Sequence, residues 1–427
     1  MRKTEKTVIS SKSLGESYLK IRHKSGLTIL LHPMPDYNSV YALFGTKFGS
    51  INRSFKTNRD EDVCTVPDGI AHFLEHKLFE GETEDAFVSY SRTGANANAY
   101  TSFDRTCYLF SATEKIYESL EILLNFVTHP YFTKETVDKE QGIIGQEIKM
   151  YDDDPNWCAS LGLLKALFWE HPVRIDIAGS VESISKITPE LLYRTYHTYY
   201  NLSNMALSIA GCFDPQQVIE LADRILPEGE DITIENIFPD EPQDIFLKKT
   251  ERKLEVSMPL FEIGFKEKPD NEEDLLRGQI INEMLLEMIF GESTEFYQQL
   301  YNEGIINSTF GYEVMSGDSY LINILGGEAP DPELVYDKIC AEIERVKSEG
   351  LSKELFEIVK KSFYGGRVSR FNSVEHIATG MLYSHFSGCD AFDSLKIIAN
   401  MQLEDLEKRL KTQLFEEKSS ISVVSPM

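Results

Sequence analysis

The most informative stretch of the chain reads Pro67-Asp68-Gly69-Ile70-Ala71-His72-Phe73-Leu74-Glu75-His76-Lys77-Leu78-Phe79-Glu80-Gly81. Asp68 is a good N-cap residue after a proline, and Gly81 is well suited to follow the C-terminus of a helix. No proline interrupts the residues between them. The pattern therefore predicts a helix over about 69–80.

This helix has two chemically different faces at about 100° per residue. The apolar face carries Ile70, Phe73, Leu74 and Leu78, and the opposite face carries His72, Glu75, His76 and Phe79. Histidines four residues apart lie one turn apart, so both imidazoles can reach one ion at about 2.0–2.1 Å. With a glutamate beside them this is H-x-x-E-H, the inverted form of the zinc-protease motif H-E-x-x-H. The alternative is a helix whose histidines and glutamate merely face solvent.

Length and composition bound the possible functions. A chain of 427 residues suits two domains of about 200 residues each. Its 42% hydrophobic and 26% charged residues are ordinary for a globular protein. The 43 basic and 69 acidic residues give a net charge of −26, which argues against binding to nucleic acid or to anionic membrane surfaces.

The sequence contains no segment that predicts export or membrane insertion. The first residues, through Thr7, are polar, and no run of about 18 apolar residues occurs. The six cysteines stand far apart without C-x-x-C spacing, which indicates reduced thiols. We therefore expect a cytoplasmic protein.

The order of predicted elements indicates an α+β fold with helices against a largely antiparallel sheet. Two strands are predicted within 18–32, a third at about 39–49, and further strands between 94 and 111. Helical patterns occupy about 83–92, 114–128, 133–152, 156–169, 188–200 and 214–226, with a strand at 205–211.

The same order of elements recurs after an acidic, proline-containing segment at 227–246, which is predicted to be a linker. A strand at 253–267, helices at 271–290 and 294–302, strands at 308–327 and a closing strand at 420–424 follow. Leu78-Phe79-Glu80-Gly81-Glu82-Thr83 resembles Ile289-Phe290-Gly291-Glu292-Ser293. We therefore predict two homologous domains, 1–226 and 247–427, of which only the first has the metal motif. Coincidental similarity of two helix-rich segments is the alternative.

A catalytic zinc site normally needs a third protein ligand. The seven other histidines show no pairing along the sequence. The predicted helix 133–152 offers Glu140 and Glu147, seven residues apart and nearly on one side. One of them could bind the ion while the other orients one of the ligands without binding the ion itself.

The sequence resembles the inverted-motif zinc peptidases of the pitrilysin and insulysin type, which include the mitochondrial processing peptidase, and in particular their YmfH-like bacterial branch. In that family a glutamate ligand follows the motif by some 70–80 residues, with another glutamate seven residues before it. Glu147 lies 71 residues after His76 (147 − 76) and Glu140 has the earlier position. The segment from Asn98 to Tyr108 is similar to the family's N-A-x-T-S-x-D-x-T-x-Y strand.

The resemblance implies a site and a reaction. Zn²⁺ would be held by His72, His76 and Glu147, with Glu140 orienting a ligand from outside. Glu75 would be the general base that activates the zinc-bound water for hydrolysis of a peptide bond. The strand residues Asn98, Ala99, Tyr100 and Thr101 would bind the substrate backbone, although a tight turn with small residues for packing explains this run equally.

One departure from the family pattern concerns the second half. Relatives that bind substrate there carry a stretch like L-R-E-x-x-G-L-x-Y, whereas this chain has Leu300-Tyr301-Asn302-Glu303-Gly304-Ile305-Ile306-Asn307. Unless a residue such as Tyr312 substitutes, we expect a homologous partner subunit, or a second copy, to complete a chamber for short or unfolded peptides. The alternatives are a non-catalytic scaffold subunit of this fold and metal-dependent hydrolysis of a non-peptide amide.

Overall fold

The computed structural model describes residues 3–230, 232–269, 271, 274–317 and 319–427. Small parts of three predicted segments, at 231, 272–273 and 318, lie outside the described residues. The helices are α1 (Ile70–Leu78), α2 (Ala86–Ser91), α3 (Ile116–Thr128), α4 (Lys134–Tyr151), α5 (Pro155–Leu167), α6 (Val181–Ile184), α7 (Pro189–Tyr199), α8 (Pro215–Ile225), α9 (Leu275–Phe290), α10 (Glu295–Asn302), α11 (Pro332–Glu349), α12 (Lys353–Ser369), α13 (Val374–Phe386), α14 (Asp393–Asn400) and α15 (Leu403–Leu410). The strands are β1 (Glu5–Ser11), β2 (Glu16–Arg22), β3 (Thr28–Pro33), β4 (Val40–Thr46), β5 (Ser54–Thr57), β6 (Cys64–Thr65), β7 (Asn96–Thr101), β8 (Thr106–Ala112), β9 (Met205–Gly211), β10 (Ile234–Asn236), β11 (Lys249–Leu254), β12 (Leu260–Glu267), β13 (Gly311–Gly317), β14 (Tyr320–Glu328) and β15 (Ser419–Pro426).

The chain forms two compact units. The first unit contains the chain up to Ile148 together with Asp176–Ile237 and Val368–Phe392. The second unit contains Lys149–Ile175, Phe238–Arg367 and Asp393–Met427. Each unit therefore includes one segment from the other half of the sequence, and the division into 1–226, 227–246 and 247–427 remains a prediction about sequence repeats.

The first unit is organised around a sheet with the strand order β1-β2-β3-β9-β4-β8-β7. Only β3 and β9 run parallel in it, and the other neighbours are antiparallel. Its core lies between the sheet and α1, α3 and α7, and includes Phe44, Phe73 and Leu123, all fully buried. β7 is at an edge of this sheet, with β8 as its neighbour. The predicted α+β class with a mainly antiparallel sheet is confirmed.

The second unit repeats this topology. Its sheet has the order β11-β15-β12-β14-β13, in which β11 and β15 run parallel and the other neighbours antiparallel. Taken in the order across the sheet, these strands match β3, β9, β4, β8 and β7 one for one. The predicted tandem arrangement of two homologous domains is therefore confirmed.

Two helices at equivalent places in the repeat are exchanged between the halves of the sequence. α5 packs on β15, β12 and β11 of the second unit, and α13 packs on β9, β4 and β3 of the first unit. The contacts are close, because a Cβ at Gly45 of β4 would lie 2.9 Å from Leu382 of α13. A Cβ at Gly264 of β12 would lie 2.8 Å from Leu167 of α5. Both strands thus have glycine where the exchanged helix crosses them.

One prediction along the chain needs correction. The strand expected at 253–267 is interrupted, since β11 ends at Leu254 and β12 begins at Leu260. Pro259 has no N–H to donate to a sheet, which explains the interruption. Within the segment 227–246, which stays a predicted linker, the short strand β10 pairs with β5 of the first unit.

In the part of the chain that the structure describes, no helix combines the length and the apolar character needed to span a membrane.

Candidate metal centre

The helix that carries the motif begins at Ile70, preceded by Gly69 with φ of 89°. A Cβ at Gly69 would lie 2.3 Å from the carbonyl oxygen of Ala178, so the close approach and the left-handed backbone both require glycine. The prediction that Asp68 caps this helix is wrong, because no side-chain cap is formed. The Asp68 carboxylate instead lies 2.8 Å from Nε of Arg53.

The apolar face of α1 enters the core as the sequence pattern predicts. Its four members are each no more than 4% exposed: Ile70, Phe73, Leu74 and Leu78. The opposite face of α1 contacts β7 and carries His72, Glu75 and His76. Packing of the apolar face therefore fixes the orientation in which the two imidazoles and the carboxylate are presented.

Helix α4 brings Glu147 to both histidines. Its Oε1 is 3.6 Å from Nε2 of His72, and its Oε2 is 3.5 Å from Nε2 of His76. Among the described residues these three are the set of His, Cys, Asp or Glu whose ligand atoms all lie within 4.8 Å of one another. Ligands at about 2.0–2.1 Å around a tetrahedral ion stand roughly 3.4 Å apart. The donor set and its spacing therefore fit Zn²⁺.

Electrostatics favour the form of His72 that can bind a metal. Burial and the neighbouring His76 lower the pKa of His72 to about 3. Its imidazole is therefore neutral near pH 7 and has a lone pair available. The two rings lie 4.5 Å apart between centroids, as expected of side chains one turn apart.

Glu140 contacts the other nitrogen of His76. Its Oε1 lies 3.0 Å from Nδ1 of His76, on the side of the ring away from Glu147. Burial alone lowers the pKa of His76, but the hydrogen bond with Glu140 and the charges of the surrounding glutamates raise it overall. The sequence left open which of these two carboxylates is the third ligand. Glu147 faces both histidines, whereas Glu140 contacts only His76.

Glu75 lies beside the ligand set and contacts β7. Thr101 Oγ1 donates a hydrogen bond of 2.8 Å to Glu75 Oε2. Burial raises the pKa of the Glu75 carboxyl, partly offset by this hydrogen bond and by His76. Its carboxylate is thus oriented by the edge strand and is not part of the three-ligand set.

The predicted substrate strand is divided between two faces. Ala99 packs against the core that contains α1, and Thr101 contacts Glu75. Tyr100 packs on the opposite face, where its hydroxyl lies 2.6 Å from the hydroxyl of Tyr383 on α13. The Asn98 side chain is exposed and accepts a hydrogen bond of 2.9 Å from the backbone N–H of Ala99. The structure therefore brings the side chain of Thr101, but not those of Asn98 and Tyr100, to Glu75.

Tyr383 is a residue that the sequence reasoning missed. It is 283 residues from Tyr100 along the chain, and no motif surrounds it. The internal repeat was the available signal for this helix, because α13 in the second half of the sequence is the counterpart of α5 in the first half.

The second unit has an ion pair on the elements equivalent to α1 and α4. Arg367 of α12 lies 2.7 Å from Glu283 of α9, with both side chains about one-fifth exposed. Tyr312 of β13 donates a hydrogen bond of 2.7 Å to Glu287. In the stretch from Leu300 to Asn307, Tyr301 is 47% exposed, and Asn307 donates a hydrogen bond of 3.3 Å to Glu328.

Two family profiles match separate parts of the chain. Residues 66–180 match the profile described as Insulinase (Peptidase family M16), and residues 186–363 match the profile described as Peptidase M16 inactive domain. A protein of Bacillus subtilis described as uncharacterized zinc protease YmfH is 38% identical over 98% of this chain and 99% of its own length.

Solved structures share the fold over the whole chain. A crystal structure of a putative M16-like peptidase from Alicyclobacillus acidocaldarius is 34% identical, with a TM-score of 0.92, and covers 100% of this chain and 99% of that one. A chain of complex III2 from Candida albicans has a TM-score of 0.73 at 12% identity and covers 99% and 95%, which shows a shared fold alone. With its H-x-x-E-H helix, its repeated topology and these relatives, the chain belongs to the M16 family of peptidases.

Proposed function

We propose that the chain is a zinc-dependent endopeptidase that hydrolyses internal bonds of short or unfolded peptides, in the cytoplasm and together with a homologous partner chain. One observation carries the proposal. Glu147 faces both motif histidines at 3.5 and 3.6 Å, the spacing of ligands around a tetrahedral ion. A further carboxylate, that of Glu75, stands beside this set and is held by Thr101.

The residues have separate roles in this reaction. His72, His76 and Glu147 would hold Zn²⁺ through two neutral nitrogens and a carboxylate. A bound zinc ion supplies Lewis acidity, which makes a water acidic near neutral pH and polarises a carbonyl oxygen. Glu140 accepts a hydrogen bond from the Nδ1–H of His76 and thereby directs Nε2 of this ring toward Glu147.

Glu75 is the proposed general base. Its carboxylate takes a proton from the attacking water and returns that proton to the departing amine. Because Thr101 engages only Oε2, the other oxygen of Glu75 remains available for this proton. Because Glu75 is not part of the three-ligand set, an ion held by that set would keep a position for water, as catalytic sites require.

An edge strand beside the base suits a peptide substrate. β7 pairs with β8 on one side, and in the first unit the strand order ends there. An extended peptide could add to this edge through backbone hydrogen bonds, which accept many sequences. Peptide amides are therefore favoured over other amides as substrates, with Thr101 of this strand in contact with Glu75.

The proposed need for a partner chain rests on the second half of this chain's sequence. The stretch from Leu300 to Asn307 has neither the arginine nor the tyrosine of the family pattern in place, and Tyr312 is engaged with Glu287. Neither the stretch from Leu300 to Asn307 nor Tyr312 offers a cation to hold a substrate carbonyl. We therefore propose that a homologous chain supplies the second half of the substrate grip.

A non-catalytic scaffold subunit is the second candidate. It is favoured by the match of residues 186–363 to a profile described as an inactive domain. It is also consistent with the occurrence of this fold in complex III2 of Candida albicans. The complete set of His72, Glu75, His76 and Glu147 favours the enzyme, because a scaffold does not need a general base beside its metal ligands.

The test combines metal analysis with cleavage of a pool of quenched fluorescent peptides. The wild type, Glu75→Gln and a matched control, Glu82→Gln in the exposed segment after α1, are each assayed alone and with a homologous chain from the same genome. We expect about one zinc per chain in all three and loss of cleavage only in Glu75→Gln. Zinc without cleavage by the wild type in either condition would favour the scaffold, and absence of zinc would overturn the proposal.

A further inference from the structure

The edge strand β7 is held from both faces of the sheet. On one face Thr101 donates its hydrogen bond to Glu75. On the other face the hydroxyls of Tyr100 and Tyr383 lie 2.6 Å apart. Tyr383 belongs to α13, which comes from the second half of the sequence and packs on the first unit. The strand beside the proposed base is thus tied to a helix encoded about 280 residues later.

The position of Tyr383 is itself firmly determined. The carbonyl of Ala378, five residues earlier in α13, accepts a hydrogen bond of 2.7 Å from Ser208 of β9. Leu382, the preceding residue, packs over Gly45, where even a Cβ would be too close. The Arg105 guanidinium lies 4.0 Å from the centre of the Tyr383 ring, within cation–π range. Arg105 is held in turn by Asp104 through two hydrogen bonds of 2.6 and 2.7 Å.

The two hydroxyls are partly buried and hydrogen-bond to each other. Burial raises the pKa of both phenols, so each keeps its proton and one hydroxyl donates to the other. A partly buried hydroxyl that loses its partner is left with part of its desolvation cost, so the pair resists displacement of β7.

The internal repeat provides a comparison within the same chain. Gly45 pairs with Cys107, which pairs with Tyr100. In the second unit Gly264 pairs with Ile324, which pairs with Glu313. Glu313 is therefore the counterpart of Tyr100.

The helices correspond in the same way. Gly45 is covered by Leu382 and Phe386 of α13, and Gly264 by Leu163 and Leu167 of α5. The residue after Leu163 is Leu164, which is therefore the counterpart of Tyr383. Glutamate and leucine cannot form the hydroxyl pair, so this tie is a property of the unit with the metal centre and not a requirement of the fold.

From these contacts we infer that Tyr383 is a positioning residue for the proposed peptidase, which acts through Tyr100 to hold β7 in the place where it binds an extended peptide next to Glu75. The inference rests on the proposed function, since it concerns the same strand and substrate class. It assigns to the second half of the chain a role in the first unit that does not depend on the partner. The role concerns substrate binding and not the metal, because neither tyrosine contacts His72, His76 or Glu147.

The test measures peptide binding without turnover. In the Glu75→Gln background with zinc bound and the homologous partner chain present, the Kd of a fluorescent peptide from the cleaved pool is compared for the parent, Tyr383→Phe and Tyr336→Phe. Tyr336 is the matched control, because its buried hydroxyl also pairs with one hydroxyl, that of Ser419 at 2.7 Å, in the second unit. We expect a threefold to tenfold higher Kd for Tyr383→Phe and no change for Tyr336→Phe.

Two further measurements separate positioning from general destabilisation. Zinc content and affinity for a small hydroxamate, which is too short to lie along β7, should be the same in Tyr383→Phe and its parent. An equal loss of hydroxamate affinity would show a merely structural role and overturn the inference, as would an unchanged peptide Kd in Tyr383→Phe. Parent protein that binds zinc and the hydroxamate but no peptide would refute the proposed function and the inference with it. Peptide binding that Tyr383→Phe leaves intact refutes the inference alone.

Discussion

Thr101 Oγ1 donates a hydrogen bond of 2.8 Å to Oε2 of Glu75, and this bond joins the edge strand β7 to the helix that carries both histidines. Hydrogen bonds to charged groups contribute about 1.5–3 kcal/mol, more than those between neutral groups. The bond therefore determines which Glu75 oxygen remains available to a substrate water.

Thr101→Val removes this donor and keeps the branched shape of the side chain. We expect kcat to fall by about tenfold or more, since roughly 1.4 kcal/mol corresponds to a factor of ten. Zinc content should not change, because Thr101 contacts no ligand. Steady-state kinetics with metal analysis checks this, and Thr101→Ser, which keeps the hydroxyl, is the control. Equal kcat in the valine and serine variants would contradict the proposed orienting role.

Glu140 accepts from Nδ1 of His76 at 3.0 Å and is expected to tune metal affinity without binding the ion. Loss of such an outer hydrogen bond typically weakens metal binding by about 10–100-fold. We expect Glu140→Ala to lower zinc affinity within this range, measured by competition with a chromophoric chelator. Glu135→Ala, at the exposed start of the same helix, removes the same charge far from His76 and should bind zinc like the wild type.

Local patterns predicted the elements and the metal helix well. The apolar spacing of Ile70, Phe73, Leu74 and Leu78 identified the buried face of α1, because helix periodicity is a local property. The spacing of Glu140 and Glu147 on one side of a helix offered two candidates for the third ligand. Choosing between them needed either the family pattern or the distances.

Features that depend on distant parts of the chain were not predictable. Asp68 has the chemistry of an N-cap, but Gly69 is pressed against Ala178, more than 100 residues later, and adopts a backbone that excludes the cap. The exchange of α5 and α13 was also hidden, since an amphipathic pattern shows that a helix has a buried face but not which sheet the face covers. The contact of Tyr383 with Tyr100 follows from that exchange.

A buried ion pair gives a prediction about the stability of the second unit. Lys266, which is 4% exposed, donates to Glu241 Oε1 at 2.5 Å. The other Glu241 contacts are the backbone N–H groups of Trp169, Glu170 and His171. Glu241→Ala would leave a buried ammonium and three amides without this acceptor, so we expect a loss of about 3–5 kcal/mol in the free energy of unfolding.

Urea unfolding measures this loss, and Glu333→Ala is its control. Glu333 is 68% exposed and pairs with Lys249 at 2.7 Å on the surface. Exposed pairs contribute about 0–1 kcal/mol. A similar small loss in both variants would show that Glu241 does not stabilise the second unit.

A second buried carboxyl in the same unit predicts how stability depends on pH. Glu267 is 8% exposed, and its Oε1 accepts the backbone N–H of Leu414 at 2.6 Å. Burial raises its pKa from 4.5 to about 8, against the opposing effect of this hydrogen bond. Between these two values the folded chain binds more protons than the unfolded chain. The free energy of unfolding therefore falls as pH rises through this window, by up to about 1.4 kcal/mol per pH unit.

Glu267→Gln removes the titrating group and keeps an oxygen for Leu414. We expect the variant to be more stable than the wild type at pH 8.5, similar to it near pH 4, and without the loss of stability between them that this carboxyl causes. Urea unfolding across this pH range measures the difference, with Glu417→Gln at an exposed position as the control. Parallel pH profiles for the wild type and Glu267→Gln would mean that Glu267 has the same pKa in the folded and unfolded chains. Glu267→Gln should therefore change the pH profile of stability, and Glu417→Gln should leave that profile unchanged.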